Sequence, residues 1–337
     1  MFFITLFSGT LIRICSSSWF RIWIGLEINL LSFIPLSINL NNLFSSEASL
    51  KYFLTQALAS RTLLFSIIFY SFYIEWNTTL NQNNIQHLIN ILFISSLIIK
   101  IGIAPFHFWF PNVIEGLNWI NNLILITWQK IAPFVILSFC LNFNFLIFSI
   151  IISAFIGAIG GLNQSSLRKL IAYSSINHLR WITAAILNNE NIWKIYFLFY
   201  CILSIVIILL FNNFKITNLN QLYSFIKFKI LIKFIIFIPL LSLGGLPPFL
   251  GFFPKWLVIE LLISKNLIIL LIIILNFTLI ALYFYIRIAY TAFLINHNEI
   301  AWNFINYSNP KKRFLHSFFL FISIFGLIFI NIFFLLL

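Results

Sequence analysis

The chain has 337 residues, of which 62% are hydrophobic and 8% charged, and its formal net charge is +13. Its mean hydropathy is +1.05. So few polar side chains cannot cover a water-soluble globule of this length, which excludes a soluble enzyme or binding domain and predicts an integral membrane protein. The excess of Lys and Arg is typical of loops on one side of a membrane, and no basic soluble domain that could bind nucleic acid is present.

Apolar runs of about 20 residues recur along the chain, which is the length that an α-helix needs to cross the hydrocarbon core. Strands of a membrane barrel would instead alternate apolar and polar residues over about ten positions. We therefore predict an all-α, polytopic protein that forms a single membrane domain over residues 1–337. About eleven crossings are predicted, at 1–18, 20–40, 50–74, 85–107, 117–142, 144–161, 167–187, 190–212, 230–263, 266–295 and 314–336. The first stretch lacks a basic leader and a signal cleavage site, so we expect it to remain as the first crossing.

The ninth predicted crossing contains LGGLPPFLGFFPKW and would be ~50 Å long as one helix, well beyond the thickness of a bilayer. Its prolines lack amide hydrogens, so the carbonyls four residues earlier lose their helical donors. The prolines are 247, 248 and 254, and the carbonyls belong to Leu243, Gly244 and Leu250. Irregular backbone at membrane depth is tolerated only inside protein or beside water. We therefore predict a discontinuous helix beside a hydrated cavity, with Lys255 at its edge.

The fourth predicted crossing has the same ingredients, with Lys100 and Gly102 ahead of Pro105 and Pro111. Paired broken helices indicate internal repeats, as in transporters. We therefore predict antiporter-like inverted repeats in two approximate halves, 1–142 and 144–295, followed by a C-terminal helix at 314–336.

Lys130 lies near the middle of the fifth predicted crossing, ~19 Å from either end, and a lysine cannot reach the membrane surface over that distance. Its ammonium must face protein or water, and ionisable residues inside a membrane usually serve a function. Glu27 is the one acid well inside a predicted crossing, and no basic residue lies one turn away on its own helix. Its expected partner is Lys100, in either a structural or a switchable ion pair.

His178 lies near mid-span in IAYSSINHLRW, one turn after Ser174 and Ser175, which could hold water or a proton wire. A satisfied core histidine is the alternative. Together, five buried ionisable groups indicate a proton path: Glu27, Lys100, Lys130, His178 and Lys255. The histidines show no metal-ligand spacing, and the three scattered cysteines form no CxxC pair, so neither a metal site nor an iron–sulfur cluster is predicted.

Several stretches closely resemble the animal mitochondrial NADH dehydrogenase subunit 2 family, from about residue 9 to the C-terminus. They are WIGLEINLLSFIPL, SLKYFLTQALAS, KIGIAPFHFWFPNVIEGLNW, TWQKIAP, IGAIGGLNQSSLRKLIAYSSINH and SLGGLPPFLGFFPKW. The resemblance implies an antiporter-like core subunit in the membrane arm of respiratory complex I, where proton translocation is coupled to electron transfer from NADH to ubiquinone. It also implies that Glu27 and Lys100 are the interacting pair, that Lys130 is the central lysine, and that Lys255 belongs to the second broken helix.

The same resemblance implies that this chain binds no redox cofactor. NADH, FMN, the iron–sulfur clusters and ubiquinone would be bound by other subunits of the complex. The implied partners are the other membrane-arm subunits, including a neighbouring antiporter-like subunit and small core subunits, together with lipids such as cardiolipin. The implied location is the mitochondrial inner membrane.

Two other functions would use the same buried charges and broken helices. One is a stand-alone cation/proton antiporter, and the other is a passive membrane scaffold in which the charges merely pair. Without the family resemblance, the residues alone would not separate the antiporter from the complex I subunit.

Basic residues predict the orientation, because Lys and Arg concentrate in loops that are not translocated. One side would carry ten of them: Lys51, Arg168, Lys169, Lys215, Lys227, Lys229, Lys233, Lys311, Lys312 and Arg313. The other side would carry Lys194 and Lys265. The N-terminus is therefore expected on the matrix side and the C-terminus on the intermembrane-space side.

Four arginines depart from the family pattern, which usually has Gly at position 180 and small polar residues near positions 13, 21 and 61. Mid-span arginines without acidic partners would be costly. Because the sequence also contains one Met among abundant Ile, we hypothesise that invertebrate mitochondrial codons were translated with a different code. In that case the functional chain would carry Ser at some of Arg13, Arg21, Arg61 and Arg180.

Overall fold

The computed structural model describes residues 1–39, 42–75, 83–224 and 230–294, and in addition positions 321 and 326. Helices dominate these residues, and the only β-type pairing among them is an isolated bridge between Ser166 and Asn218. The predicted all-α class is therefore confirmed. The eleventh predicted crossing, 314–336, lies outside the described residues apart from single positions.

Fourteen helices are described. They are α1 (Phe2–Ile14), α2 (Trp19–Ser37), α3 (Leu43–Glu75), α4 (Asn83–Ile101), α5 (Trp109–Gly116), α6 (Trp119–Ile126), α7 (Trp128–Phe139), α8 (Phe143–Gly161), α9 (Leu167–Ile186), α10 (Glu190–Phe214), α11 (Leu219–Ser224), α12 (Ile230–Gly244), α13 (Phe252–Ser264) and α14 (Ile268–Leu294). Among the described residues, six spans are long and apolar enough to cross a membrane: Trp19–Ser37, Leu43–Tyr73, Trp119–Phe139, Phe143–Gly161, Glu190–Phe214 and Ile268–Tyr290.

The fifth predicted crossing is not one continuous helix, as the sequence had suggested. It is divided into α6 and α7 at Thr127, whose φ is −106° and ψ −69°. The Thr127 hydroxyl donates to the carbonyl of Leu123 at 2.7 Å. Lys130 consequently lies in the first turn of α7, where its backbone amide donates to the Thr127 carbonyl at 3.3 Å, within the apolar span Trp119–Phe139.

The chain divides into two compact units, Met1–Ser153 and Ala154–Leu337, and the division falls within α8. In the first unit α1 packs on α2, α3 packs on α4 and α5, and α7 contacts α1, α4 and α6. The repeat halves proposed from the sequence, with their boundary ahead of α8, stay a prediction.

In the second unit α9 contacts α10, α13 and α14. Almost every residue of α9 is buried, including Asn177, His178 and Arg180. A helix that is enclosed by protein on all sides can carry polar side chains that lipid would exclude. This explains why α9 lacks the apolar composition of its neighbours.

Candidate functional site

The first predicted break lies between α4 and α5. Helix α4 ends at Ile101, and the next residue, Gly102, has φ +81°. This left-handed conformation is readily adopted by glycine, which has no Cβ to clash with the backbone. The Ile103 amide then donates back to the carbonyl of Ile98 at 3.2 Å, which closes the helix end. The Trp109 indole, from the start of α5, donates to another terminal carbonyl, Ile99, at 3.0 Å.

The second predicted break lies between α12 and α13, and it is built in a similar way. Helix α12 ends at Gly244, and Gly245 has φ +83°. The Lys255 ammonium, from the first turn of α13, donates to the carbonyls of Leu243 at 3.3 Å and Gly244 at 2.5 Å. These are the two carbonyls that the prolines at 247 and 248 leave without helical donors. The side chain of Lys255 therefore substitutes for the missing amides.

The expectation for the third proline was wrong. Pro254 lies in the first turn of α13, where an amide would have no helical acceptor, and Leu250 lies in the connecting turn. Pro254 therefore removes no bond from a helix. The two site lysines are also placed differently, because Lys100 lies in the last turn of α4 whereas Lys255 lies in the first turn of α13.

A small cavity of about 20 Å³ in the first unit, here called the first cavity, lies at the α4–α5 break. Both Lys100 and Lys130 line it, and their side chains are 8% and 2% exposed. The Lys130 ammonium lies 4.4 Å from the centroid of the Phe110 ring, a cation–π contact. The remaining polar lining comes from Arg13, Asn29, Tyr52, Gln56 and Gln129. A polar cavity of this size can hold about one water molecule.

Glu27 lies on α2 and approaches this group without closing an ion pair. Its carboxylate interacts electrostatically with Lys100, but the two groups are not within 4.0 Å of each other. Oxygen Oε2 of Glu27 is buried and has no hydrogen-bond partner among the described residues. The structure therefore brings Glu27 near its expected partner, in an arrangement where the pair is open.

A second and smaller cavity, of about 10 Å³, lies in the second unit at the α12–α13 break. It is lined by Lys255, His178 and Ser174, together with the two backbone residues that Lys255 contacts. The Nδ1 atom of His178 is hydrogen-bonded to the Tyr196 hydroxyl of α10 at 3.0 Å. Sequence reasoning missed Tyr196, because nothing in the pattern of α10 distinguishes this tyrosine from its aromatic neighbours.

The five predicted site residues thus fall into two groups. Glu27, Lys100 and Lys130 come together in the first unit, and His178 and Lys255 come together in the second. Each group contains a lysine beside a helix break.

Comparison with known proteins identifies the family. Residues 16–281 match the family described as NADH:quinone oxidoreductase/Mrp antiporter, TM. The chain is 53% identical to NADH-ubiquinone oxidoreductase chain 2 of Anopheles gambiae, over 98% of this chain and 96% of that protein. It is 54% identical to the Aedes aegypti protein of the same name, over 100% of this chain and 98% of that protein. The chain belongs to the NADH-ubiquinone oxidoreductase chain 2 family.

The fold of this family member is also found in a solved structure, the respiratory complex I from Thermus thermophilus with bound aureothin. A chain of that structure superposes with a TM-score of 0.82 at 23% identity, covering 96% of this chain and 77% of that chain. That chain and this protein therefore share the same fold.

Two of the four arginines that depart from the family pattern lie in the cavities. Arg13 lines the first cavity and Arg180 the second. Arg180 is 0% exposed, and its single hydrogen bond among the described residues runs to the Ala154 carbonyl at 3.3 Å, while Nε and Nη2 have no partner there. Arg13 interacts electrostatically with Lys100, and Arg180 with Lys255, as like charges.

Each buried guanidinium is therefore under-satisfied and faces a second cation, an arrangement that is costly inside a membrane. Serine would remove the charge and could donate its hydroxyl to a helix carbonyl, as Ser174 does to Ile171 at 2.7 Å. Arg21 and Arg61 have exposed side chains and do not share these surroundings. The geometry at positions 13 and 180 favours the hypothesis that the functional chain carries Ser there.

Peptide mass spectrometry of the protein isolated from its own mitochondria tests this hypothesis. We expect the peptide across residues 167–187 to have the mass of Ser at position 180, and trypsin not to cleave there. The peptide across residues 2–14 should likewise carry Ser at position 13. Cleavage after position 180, or a fragment with the mass of Arg, would refute the hypothesis, and cleavage at Lys169 serves as the internal control for protease access.

Proposed function

We propose that this chain is a membrane-arm subunit of the proton-pumping NADH:ubiquinone oxidoreductase of the mitochondrial inner membrane, and that it contributes directly to proton translocation. One observation carries the proposal: in each compact unit, a lysine lies against a cavity at a helix break. Ionisable residues at such positions mark ion and proton pathways in membrane proteins. The biological context comes from proteins named for this oxidoreductase, which are 53% and 54% identical to the chain over nearly its full length.

Within the first unit, Lys100 and Lys130 share a cavity with room for about one water molecule, and a water there would carry the proton between the two amines. Glu27 modulates the step by its distance from Lys100. In the second unit, Lys255 is held by two backbone carbonyls, which stabilise its charged form, and His178 lines the same cavity. A change at the break that withdraws these carbonyls would release the Lys255 proton towards the cavity.

The redox chemistry is assigned to other subunits. NADH, FMN, the iron–sulfur clusters and ubiquinone would bind outside this chain, whose part is to respond to the energy that their reaction releases. The partners would include a neighbouring antiporter-like subunit and small core subunits, and lipids such as cardiolipin would cover the remaining apolar faces. Exposed apolar side chains along α3, such as Leu50, Phe53 and Leu54, offer such a face.

A stand-alone cation/proton antiporter is the second candidate, because the matching family also covers Mrp antiporter proteins. Reconstitution separates the two functions. We expect proteoliposomes that contain the purified chain alone to show no exchange of Na⁺ or K⁺ for protons. Proteoliposomes that contain the intact complex should instead acidify their interior during NADH oxidation. Cation-driven proton movement by the chain alone, lost in a Lys130→Met variant, would establish the antiporter instead.

The orientation is proposed from the basic residues, with the N-terminus on the matrix side. In the second unit the structure supports the grouping, because the segment before α9 and the segment after α10 lie side by side: the Leu167 amide donates to Thr217 O at 2.9 Å. Lys169 and Lys215 are therefore at one end of this unit. Lys194 lies near the opposite end of α10, about 30 Å away along the helix axis.

Labelling by a membrane-impermeant amine reagent tests this orientation. Applied to mitoplasts from the intermembrane-space side, the reagent should modify Lys194 and Lys265 and spare Lys215, although all three side chains are exposed. Inverted inner-membrane vesicles, which present the matrix side, provide the control and should give the reverse pattern. Modification of Lys215 in sealed mitoplasts would reverse the topology.

A further inference from the structure

Two amide side chains join α7 to α2 beside the first cavity. The Gln129 Nε2 atom donates to the Asn29 Oδ1 atom at 3.0 Å. Both residues line the cavity that contains Lys100 and Lys130, and Asn29 is 2% exposed. Gln129 is half-buried, so this bond joins one buried and one partly buried amide at the wall of the cavity.

The position of Gln129 gives this bond its importance. Gln129 directly precedes Lys130 in the first turn of α7, just after the interruption at Thr127. The Lys130 amide donates to the Thr127 carbonyl at 3.3 Å, but Pro133 deprives the Gln129 carbonyl of a helical donor. The backbone bonding of this turn is therefore incomplete, and the side-chain bond to α2 adds a further restraint.

The position of Asn29 links the restraint to the rest of the group. Asn29 lies two residues after Glu27 on α2, so the two side chains point to different faces of the helix. The Asn29 face lines the cavity. Lys100 reaches the same cavity from α4, where its own carbonyl accepts a hydrogen bond from Gln56 Nε2 at 3.3 Å. A movement of α2 that changes the distance from Glu27 to Lys100 would thus pull on Gln129 and on the turn that carries Lys130.

We propose that Asn29 and Gln129 are positioning residues: their amide–amide bond fixes the first turn of α7 and keeps the Lys130 ammonium in the cavity that it shares with Lys100. This inference rests on the proposed proton-translocation function. An amide side chain neither gains nor loses a proton near neutral pH, so the pair acts by geometry, and by orienting water in the cavity through the donor and acceptor atoms that remain.

The test uses the assembled complex with Gln129→Leu or Asn29→Leu, which keep similar volume and remove the bond. We expect assembly and NADH binding to persist, while the proton-pumping rate falls about tenfold, since small misplacement of a reacting group has effects of that order. The exchanged pair, Asn29→Gln with Gln129→Asn, keeps both amides and the total side-chain length. The exchanged pair should recover most of the lost pumping. If the two residues served only to fill space, the exchange would not restore pumping.

Asn121→Leu is the matched control, because Asn121 also bonds to α2, donating to the Leu36 carbonyl at 2.8 Å, but does not line the cavity. It should pump at the wild-type rate. Wild-type pumping by Gln129→Leu, an equal loss in Asn121→Leu, or no recovery in the exchanged pair would overturn the proposal. If Gln129→Leu does not assemble, Gln129→Met is measured in its place under the same criteria.

A Lys130→Met variant of the complex distinguishes failure of the proposed function from failure of this inference. Unchanged pumping in Lys130→Met would refute the proposed proton-translocation function. Loss of pumping in Lys130→Met, together with wild-type pumping in Gln129→Leu, would refute only the positioning role of the amide pair.

Discussion

Replacing Glu27 with Gln is expected to slow NADH-driven quinone reduction and proton pumping together, by roughly tenfold or more. Glu27 is the acid that acts electrostatically on Lys100, and its Oε2 atom is buried without a hydrogen-bond partner among the described residues. At an effective dielectric of about 20, unit charges ~8 Å apart interact by about 2 kcal/mol, and about 1.4 kcal/mol is a factor of ten. Losing the carboxylate would leave Lys100 as an uncompensated cation facing Lys130 across the shared cavity.

The two activities should fall together, because pumping and electron transfer are coupled in the assembled complex. Both are measured in isolated complex reconstituted into liposomes, with assembly checked by native electrophoresis. Glu27→Asp keeps the charge and should retain part of the activity. Glu47→Gln is the matched control, since Glu47 is an exposed carboxylate paired with Lys51 at 2.6 Å on α3, where a surface ion pair contributes little. Wild-type rates in Glu27→Gln would reduce Glu27 to a structural role.

Replacing Pro247 and Pro248 together with Ala is expected to abolish most of the pumping while the complex still assembles. The new amides at positions 247 and 248 could donate to the carbonyls of Leu243 and Gly244, which now accept from Lys255. Hydrogen bonds to charged groups are worth about 1.5–3 kcal/mol each. Losing both would therefore shift the equilibrium between the bound and the released positions of the Lys255 ammonium by at least about tenfold. The helix would lengthen across the break and obstruct the second cavity, which Gly244 and Lys255 both line.

Pro254→Ala distinguishes this mechanism from a general effect of losing proline. Pro254 lies in the first turn of α13, so its replacement offers no amide to those carbonyls, and pumping should stay close to wild type. The number of protons moved per electron is the deciding measurement. If the double variant keeps the wild-type ratio, the break has no part in proton access to Lys255.

The breaks could be predicted from sequence because glycine and proline act locally. Gly102 and Gly245 adopt the left-handed conformation that ends a helix, and the missing amides at 247 and 248 identify which carbonyls need a new donor. Helix positions followed equally well from hydrophobic length. The candidate site residues were also chosen from sequence, since a Lys or Glu stands out in an apolar span, and their role stays a prediction.

The rest depended on tertiary contacts that no local pattern specifies. The interruption at Thr127 has neither glycine nor proline beside it, and the sequence therefore predicted one continuous helix. Tyr196 contacts His178 from a separate helix, and Asn29 meets Gln129 across 100 positions of chain. Polar side chains such as these are common on the buried faces of membrane helices, so only their partners reveal which of them matter.

The enclosure of α9 has a consequence for how the protein is made. With Asn177, His178 and Arg180 along one span, this segment is too polar to enter lipid by itself, since an arginine at mid-span costs about 2.5–3.5 kcal/mol during insertion. A serine at position 180 would lower this cost but leave the amide and the imidazole to be sheltered. Helix α9 must therefore leave the insertion machinery together with apolar neighbours, of which α10 follows directly and α13 and α14 are synthesised later. Biogenesis of the second unit is consequently a cooperative event that is completed only when its last helices arrive.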